Sequence, residues 1–113
     1  MHEVGIAENI LRIVESAAEE NHLLRVHKVI LEIGQFAGVI IPSLEFAFSV
    51  IKKDTILENT EIEINSPPLL LSCHACEAEY LADLEDLSCP VCQAEDFDIL
   101  QGREMLVKSI IGE

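Results

Sequence analysis

Four cysteines constrain this chain more than any other feature. Cys73, Cys76, Cys89 and Cys92 form a C-x2-C-x12-C-x2-C array and are its only cysteines. Each pair can form a knuckle that points two thiolates at one ion. Two knuckles give the tetrahedral four-sulfur set that zinc favours in closed structural sites. A rubredoxin-like iron site would use the same sulfurs, and two redox disulfides would use the same pairs. Two short-spaced pairs in one small segment read as metal ligands ahead of disulfides. A metal explains how such a segment folds. It does not by itself say what the protein does.

The charge around the cysteines narrows the choices. The chain has 21 acidic residues against 7 Lys and Arg, a formal net charge of −14. From Leu69 to Gln101 there is no Lys or Arg, while Glu77, Glu79, Asp83, Glu85, Asp86, Glu95, Asp96 and Asp98 all fall there. A zinc tetrathiolate would add about −2 more. Zinc ribbons often serve nucleic-acid machinery, but affinity for phosphates needs Lys and Arg to displace counterions. This segment would be repelled, so no nucleic-acid partner is expected. An acidic surface suits solubility, a basic protein partner, or cations.

Outside the cysteines the chain can build an apolar core, since half of its 113 residues are apolar. Ile6, Ala7, Ile10, Leu11, Val14, Ala17 and Ala18 recur at steps of three and four, predicting a helix over about 4–20 that stops near Asn21. Arg25 to Ile33 alternates as a strand, with Val29, Leu31 and Ile33 on one side. Gly34 and Gly38 bracket a turn, and Pro42 suits the first turn of a second helix whose apolar face is Leu44, Phe48 and Ile51. Thr60 to Ile64 alternates again, with Ile62 and Ile64 inward. Glu104 to Ile111 reads as a last strand with imperfect alternation.

Pro67-Pro68 and Gly102 mark boundaries. The expected architecture is α+β: two helices on a three-stranded sheet, formed by residues 1–67 and 102–113. A zinc-ribbon or rubredoxin-like four-cysteine module, residues 68–101, is inserted before the last strand. No apolar run approaches the roughly eighteen residues needed to span a membrane. The opening Met1-His2-Glu3 lacks the basic and long apolar regions of a secretory signal. Free thiolates suit a reducing compartment. These readings predict a cytoplasmic protein.

The N-terminus is the second informative feature. The imidazole Nδ1 of His2 and its own backbone nitrogen can close one chelate ring on a metal, and the Met1 α-amine can close another. Glu3 adds a neighbouring amide and a carboxylate. Such a nitrogen-rich set favours square-planar Cu(II) or Ni(II) over zinc. The bland reading is an exposed terminal histidine that binds nothing.

Met1-His2-Glu3 opening an amphipathic helix, the paired C-x2-C motifs, and Gly102-Arg103-Glu104 before the last strand together resemble the HypA/HybF nickel metallochaperones. Further local matches are Ile6-Ala7, Leu31-Glu32-Ile33-Gly34, Phe46-Ala47-Phe48 and Lys108-Ser109. The resemblance covers essentially the whole chain in the same segment order. It implies His2 as the essential nickel ligand, with Glu3 assisting, and Cys73, Cys76, Cys89 and Cys92 as ligands of a structural zinc. It implies nickel as transferred cargo in [NiFe]-hydrogenase maturation, with urease served by some members. The implied partners are a HypB-type GTPase and the hydrogenase large-subunit precursor.

Two departures stand out. The family usually has Gly after the second cysteine of each knuckle, where this chain has Glu77 and Gln93. A left-handed backbone there would cost a non-glycine residue about 1–2 kcal/mol. The family commonly reads Leu-Ser after the opening triad, where this chain has Val4-Gly5.

The expected function is a nickel-delivering metallochaperone, not an enzyme. No nucleophile–base pair stands out, and no Gly-rich phosphate-binding loop is present, so nucleotide hydrolysis would belong to a partner. The competing reading is a zinc-ribbon interaction adaptor in which His2 binds nothing; a rubredoxin-like electron carrier is a third. His74 reads as a non-ligand beside four sufficient thiolates, or as an extra nickel ligand. His22 reads as a helix-end charge and His27 as a strand-surface residue. The expected state is a monomer, or a weak dimer swapped through the last strand or the module.

Overall fold

A computed structural model describes residues 2–113. The order of elements is α1 (His2–Glu20), β1 (Val26–Ile33), α2 (Ile41–Ile51), β2 (Glu61–Asn65), β3 (Leu69–Cys73), β4 (Glu79–Ala82), β5 (Phe97–Gln101) and β6 (Met105–Gly112). Three strands form one sheet in the order β2-β1-β6, and three form a second in the order β4-β3-β5. The expected α+β class holds, with two helices and a four-cysteine module. The second sheet is an addition: the strands inside the module were not anticipated. No helix among the described residues is long and apolar enough to cross a membrane.

By their contacts the described residues fall into two compact units. One contains the chain up to Leu31 with Val39–Ile64 and Val107–Glu113; the other contains Glu32–Gly38 and Asn65–Leu106.

In the first unit, α1 buries Ala7, Ile10, Val14 and Ala18, one stripe at steps of three and four. The helix ends in a Schellman motif. His22 N–H donates to the Glu19 carbonyl at 3.2 Å and Leu23 N–H to the Ala18 carbonyl at 2.8 Å. His22 itself takes the left-handed conformation at φ 56°. The structural job of His22 is therefore this backbone turn, a role that charge alone did not reveal. Pro42 sits in the first turn of α2, where its missing N–H costs nothing. That helix buries Leu44, Ala47 and Phe48, while Phe46 stays exposed. Thr60 is buried and donates its hydroxyl to the Val26 carbonyl at 2.6 Å.

In the second unit, β3 is the central strand. Leu69, Leu71 and Cys73 point inward and meet Tyr80 and Cys89, with Phe36, Ala82, Phe97 and Ile99 packed around them. Both pairings are antiparallel: Leu71 lies opposite Tyr80 of β4 and opposite Ile99 of β5. The Tyr80 hydroxyl donates to the Leu87 carbonyl at 2.7 Å, which satisfies its polar end. The turn after β1 belongs to this unit. Gly34 N–H donates to the Glu104 carbonyl at 2.8 Å, and Phe36 N–H to the Gly102 carbonyl at 2.7 Å. A Cβ at Gly34 would collide with the Gly102 carbonyl, so the absence of a side chain permits this approach.

Candidate metal centres

The four cysteines are held by two copies of one backbone turn. In the first, Glu77 N–H donates to the Cys73 carbonyl at 2.9 Å and Cys73 N–H to the Ala78 carbonyl at 2.8 Å. In the second, sixteen residues on, Gln93 N–H donates to the Cys89 carbonyl at 2.8 Å and Cys89 N–H to the Ala94 carbonyl at 2.9 Å. Glu77 and Gln93 take φ of 63° and 65°, the left-handed backbone expected of a glycine there. The departures at these positions leave the knuckle geometry intact.

These turns bring the four sulfurs within 4.8 Å of one another. Cys73 Sγ lies 3.5 Å from Cys92 Sγ, and Cys76 Sγ lies 3.6 Å from Cys89 Sγ. A zinc–sulfur bond of about 2.3 Å sets tetrahedral edges near 3.8 Å, so the cluster has the size such an ion needs. Cys73 and Cys89 are buried, and Cys76 and Cys92 are exposed.

The electrostatics also call for a cation. The Cys92 N–H, aided by that of Val91, brings the Cys89 thiol down to about 7 against the cost of burial. The Cys76 N–H likewise lowers Cys73. Cys76 goes the other way: the Ala78 N–H pulls it down, but desolvation and the sulfurs of Cys89, Cys92 and Cys73 push it up to about 12. Four crowded sulfurs cannot all ionise on their own, and a divalent ion at their centre removes the obstacle. Among the described residues this is the one group of three or more Cys, His or acidic side chains placed to share an ion.

His74, between the first two cysteines in sequence, is turned away to a different task. Its Nδ1 lies 2.9 Å from Asp96 Oδ1 and its Nε2 lies 2.8 Å from Asp98 Oδ2. Its backbone N–H donates to the Asp96 carbonyl at 3.0 Å. The Asp98 hydrogen bond, then that of Asp96, raises its pKa. With both ring nitrogens engaged, His74 ties the first knuckle to the start of β5. No local spacing in the sequence signals this pairing across more than twenty residues.

At the other candidate centre, His2 and Glu3 form the first turn of α1. The His2 side chain is 63% exposed, and its Nδ1 lies 3.3 Å from Glu3 Oε2. That same oxygen accepts the backbone N–H of Ile40 at 3.3 Å, at the start of α2. The hydrogen bond with His2, then that from Ile40, lowers the Glu3 pKa, so the carboxylate is ionised at neutral pH. α2 has no side-chain cap of its own at Ile40; a carboxylate from α1 supplies the negative end that its dipole favours. Sequence inspection missed Ile40, because a backbone donor carries no residue-type signal. The Met1 α-amine, the third candidate donor, lies outside the described residues.

Comparison with known proteins agrees along the whole chain. Residues 1–111 match a family model described as hydrogenase/urease nickel incorporation, metallochaperone, hypA. The hydrogenase maturation factor HypA of Francisella philomiragia is 40% identical over 111 residues, covering 98% of each chain. That of Wolinella succinogenes is 35% identical, covering 97% of this chain and 93% of the relative. Among solved structures, the Ni metallochaperone HypA of Helicobacter pylori matches with a TM-score of 0.66 at 20% identity, over 97% of this chain and 96% of that one. This last likeness speaks to the fold. With the family model spanning nearly every residue and relatives sharing more than a third of their residues, the chain belongs to the HypA family of hydrogenase and urease nickel-incorporation metallochaperones.

Proposed function

We propose that this protein binds Ni(II) through the Met1-His2-Glu3 end of α1 and delivers it during [NiFe]-hydrogenase maturation, with urease as a further target class. Zinc, held by Cys73, Cys76, Cys89 and Cys92, keeps the cysteine module folded. The observation that carries the nickel reading is the pairing of an exposed imidazole nitrogen with an ionised carboxylate oxygen at 3.3 Å in the opening turn. Two hard-to-borderline donors side by side at an exposed helix end suit a borderline divalent ion that must be both taken up and released. Ile40 fixes the carboxylate and leaves the imidazole outward.

The family supplies the rest of the reading. Nucleotide hydrolysis falls to a HypB-type GTPase, and the acceptor is the hydrogenase large-subunit precursor. The carrier works as a monomer or weak dimer in the cytoplasm and is not itself an enzyme. Zinc and nickel stay separate because their donor sets differ: four thiolates in a closed cluster for one, nitrogen and oxygen at an open helix end for the other.

The test is hydrogenase activity in cells whose only copy carries His2→Ala. The variant should remain folded, keep its zinc and fail to support maturation at limiting nickel. Excess nickel should partly restore activity, because mass action replaces delivery. Normal activity at limiting nickel would favour the zinc-ribbon adaptor reading. Calorimetry on purified protein separates the donors. His2→Ala should abolish nickel binding, and residues added ahead of Met1 should weaken it if the α-amine is a ligand. Protons compete for the imidazole, so nickel affinity should fall on acidification.

A further inference from the structure

We propose that the outer face of the β4-β3-β5 sheet is a docking surface for a basic, amphipathic segment of a partner protein. The proposal stands on the cysteine module alone and does not depend on nickel binding at His2.

The sheet has two unlike faces. Leu71, Tyr80 and Ile99 point into the module's core. Leu70 and Leu81, at alternate positions of β3 and β4, point the other way, and the exposed Leu100 joins them at the bulge in β5, beside the Gln101 that lies opposite Leu70. Leu81 lies directly opposite Leu70 across the β3–β4 pair. Leu100 is the extra residue where the β3–β5 register shifts between Leu70 and Leu71. The three leucines form a band across the three strands, with Leu81 68% and Leu100 50% exposed. One step along the strands Glu79 and Asp98 both lie opposite Ser72, Asp98 being also 2.8 Å from the His74 ring, so Glu79 leads the acidic row. Leu70, between Leu81 and Leu100 on the central strand, is half-buried.

Charge decides what can occupy it. The eight acidic residues between Leu69 and Gln101 have no Lys or Arg among them. A nucleic acid or an anionic membrane would meet its own sign of charge. A second copy of a chain carrying −14 would be repelled as well. A segment with apolar side chains on one row and Lys or Arg on the next matches both rows at once. The leucine band would supply desolvated contact, and the acidic row would set orientation and speed of encounter.

The experiment places a photo-crosslinking amino acid at position 81 or 100 of the full-length, zinc-loaded protein, in cells that make a [NiFe]-hydrogenase. Position 13, exposed on α1, is the control. The crosslinked peptide is mapped by mass spectrometry. The expected result is one protein captured from both positions, through a segment that carries Lys or Arg beside apolar residues. Glu79→Lys should lower that yield at least threefold, the order of one reversed charge pair. If Glu79→Lys loses zinc, Glu79→Gln replaces it, and salt should weaken the purified crosslinking reaction. The proposal is overturned by capture of a second copy, of nucleic acid, or of a segment without basic residues. It is equally overturned by yields no higher than at position 13, or by yields unmoved by both the charge change and salt.

Discussion

Around Val14 and Leu44 the chain is held together by apolar side chains that exclude water; around Cys73 and Cys89 it is held by sulfurs that are crowded without a cation. The helical unit has a stripe of α1, the inward side of α2 and Leu57 all buried. Between residues 68 and 101 the buried side chains are those of Leu69, Leu71 and Tyr80 and of the cysteines Cys73 and Cys89. A core that small cannot offset the entropy of ordering the 34 residues from 68 to 101, so a bound ion has to supply the difference. One unit should therefore be stable by burial, and the other by coordination.

The sharpest way to break this contrast is to remove a sulfur. Structural zinc contributes an apparent 10–16 kcal/mol or so in small modules. Cys73→Ser should therefore unfold residues 69–101 and abolish zinc retention. Circular dichroism should still show both helices, while limited proteolysis cuts the module. Full zinc content and a resistant module in that variant would remove coordination as the organising force.

The reciprocal change strikes the helical unit. Leu44 is fully buried in α2, and Leu44→Ala should cost about 2–5 kcal/mol through lost burial and the cavity left behind. Chemical denaturation followed by helix signal measures this. Zinc content before the transition should stay at one per chain. A parallel loss of zinc would mean that the two units do not fold independently.

A smaller effect sharpens the account of the module. Glu77 and Gln93 both hold left-handed backbone. Relief of about 1–2 kcal/mol of strain, less about 0.5–1 kcal/mol for the added freedom of an unfolded glycine, leaves a modest gain. Glu77→Gly or Gln93→Gly should slow zinc removal by a competing chelator severalfold and leave the helical transition where it was. Faster removal would show that these side chains do something the backbone does not reveal.

The smallest expected effect concerns His74. Its contacts with Asp98 and Asp96 raise its pKa above the ordinary value near 6.5. Folding thus favours the protonated ring. That contribution is fully present below the unfolded histidine value and is lost as pH rises through the raised one. A titration of the His74 ring followed by NMR should give a midpoint above 6.5, and Asp98→Asn should lower it. A midpoint at or below 6.5 would mean that the two carboxylates do not hold the ring in solution.

Much of this is legible in the sequence. The stripe of α1, the alternation of β1 and the place of Pro42 in α2 follow from local rules that a reader can apply residue by residue. The four thiol ligand candidates follow from spacing alone, because two residues between cysteines is what a knuckle requires. The strands of the module were not legible in the same way. Leu69, Leu70 and Leu71 form an unbroken apolar run, so period two is invisible until pairing shows which leucines face in. His22 looked like a helix-end charge because its positive φ belongs to the backbone, not to the imidazole.

The sequence by itself determined the chemistry available: a four-sulfur cluster, an imidazole and a carboxylate at the opening turn, and a surface that repels phosphates. These are matters of residue type and short spacing, and physical chemistry reads them directly. The tertiary structure decided which groups meet. Glu3 reaches Ile40 across thirty-six intervening residues, His74 lies between Asp96 and Asp98, and three leucines share one face because of a register and a bulge. Such meetings depend on how segments distant in the chain are brought side by side, and no local pattern encodes that.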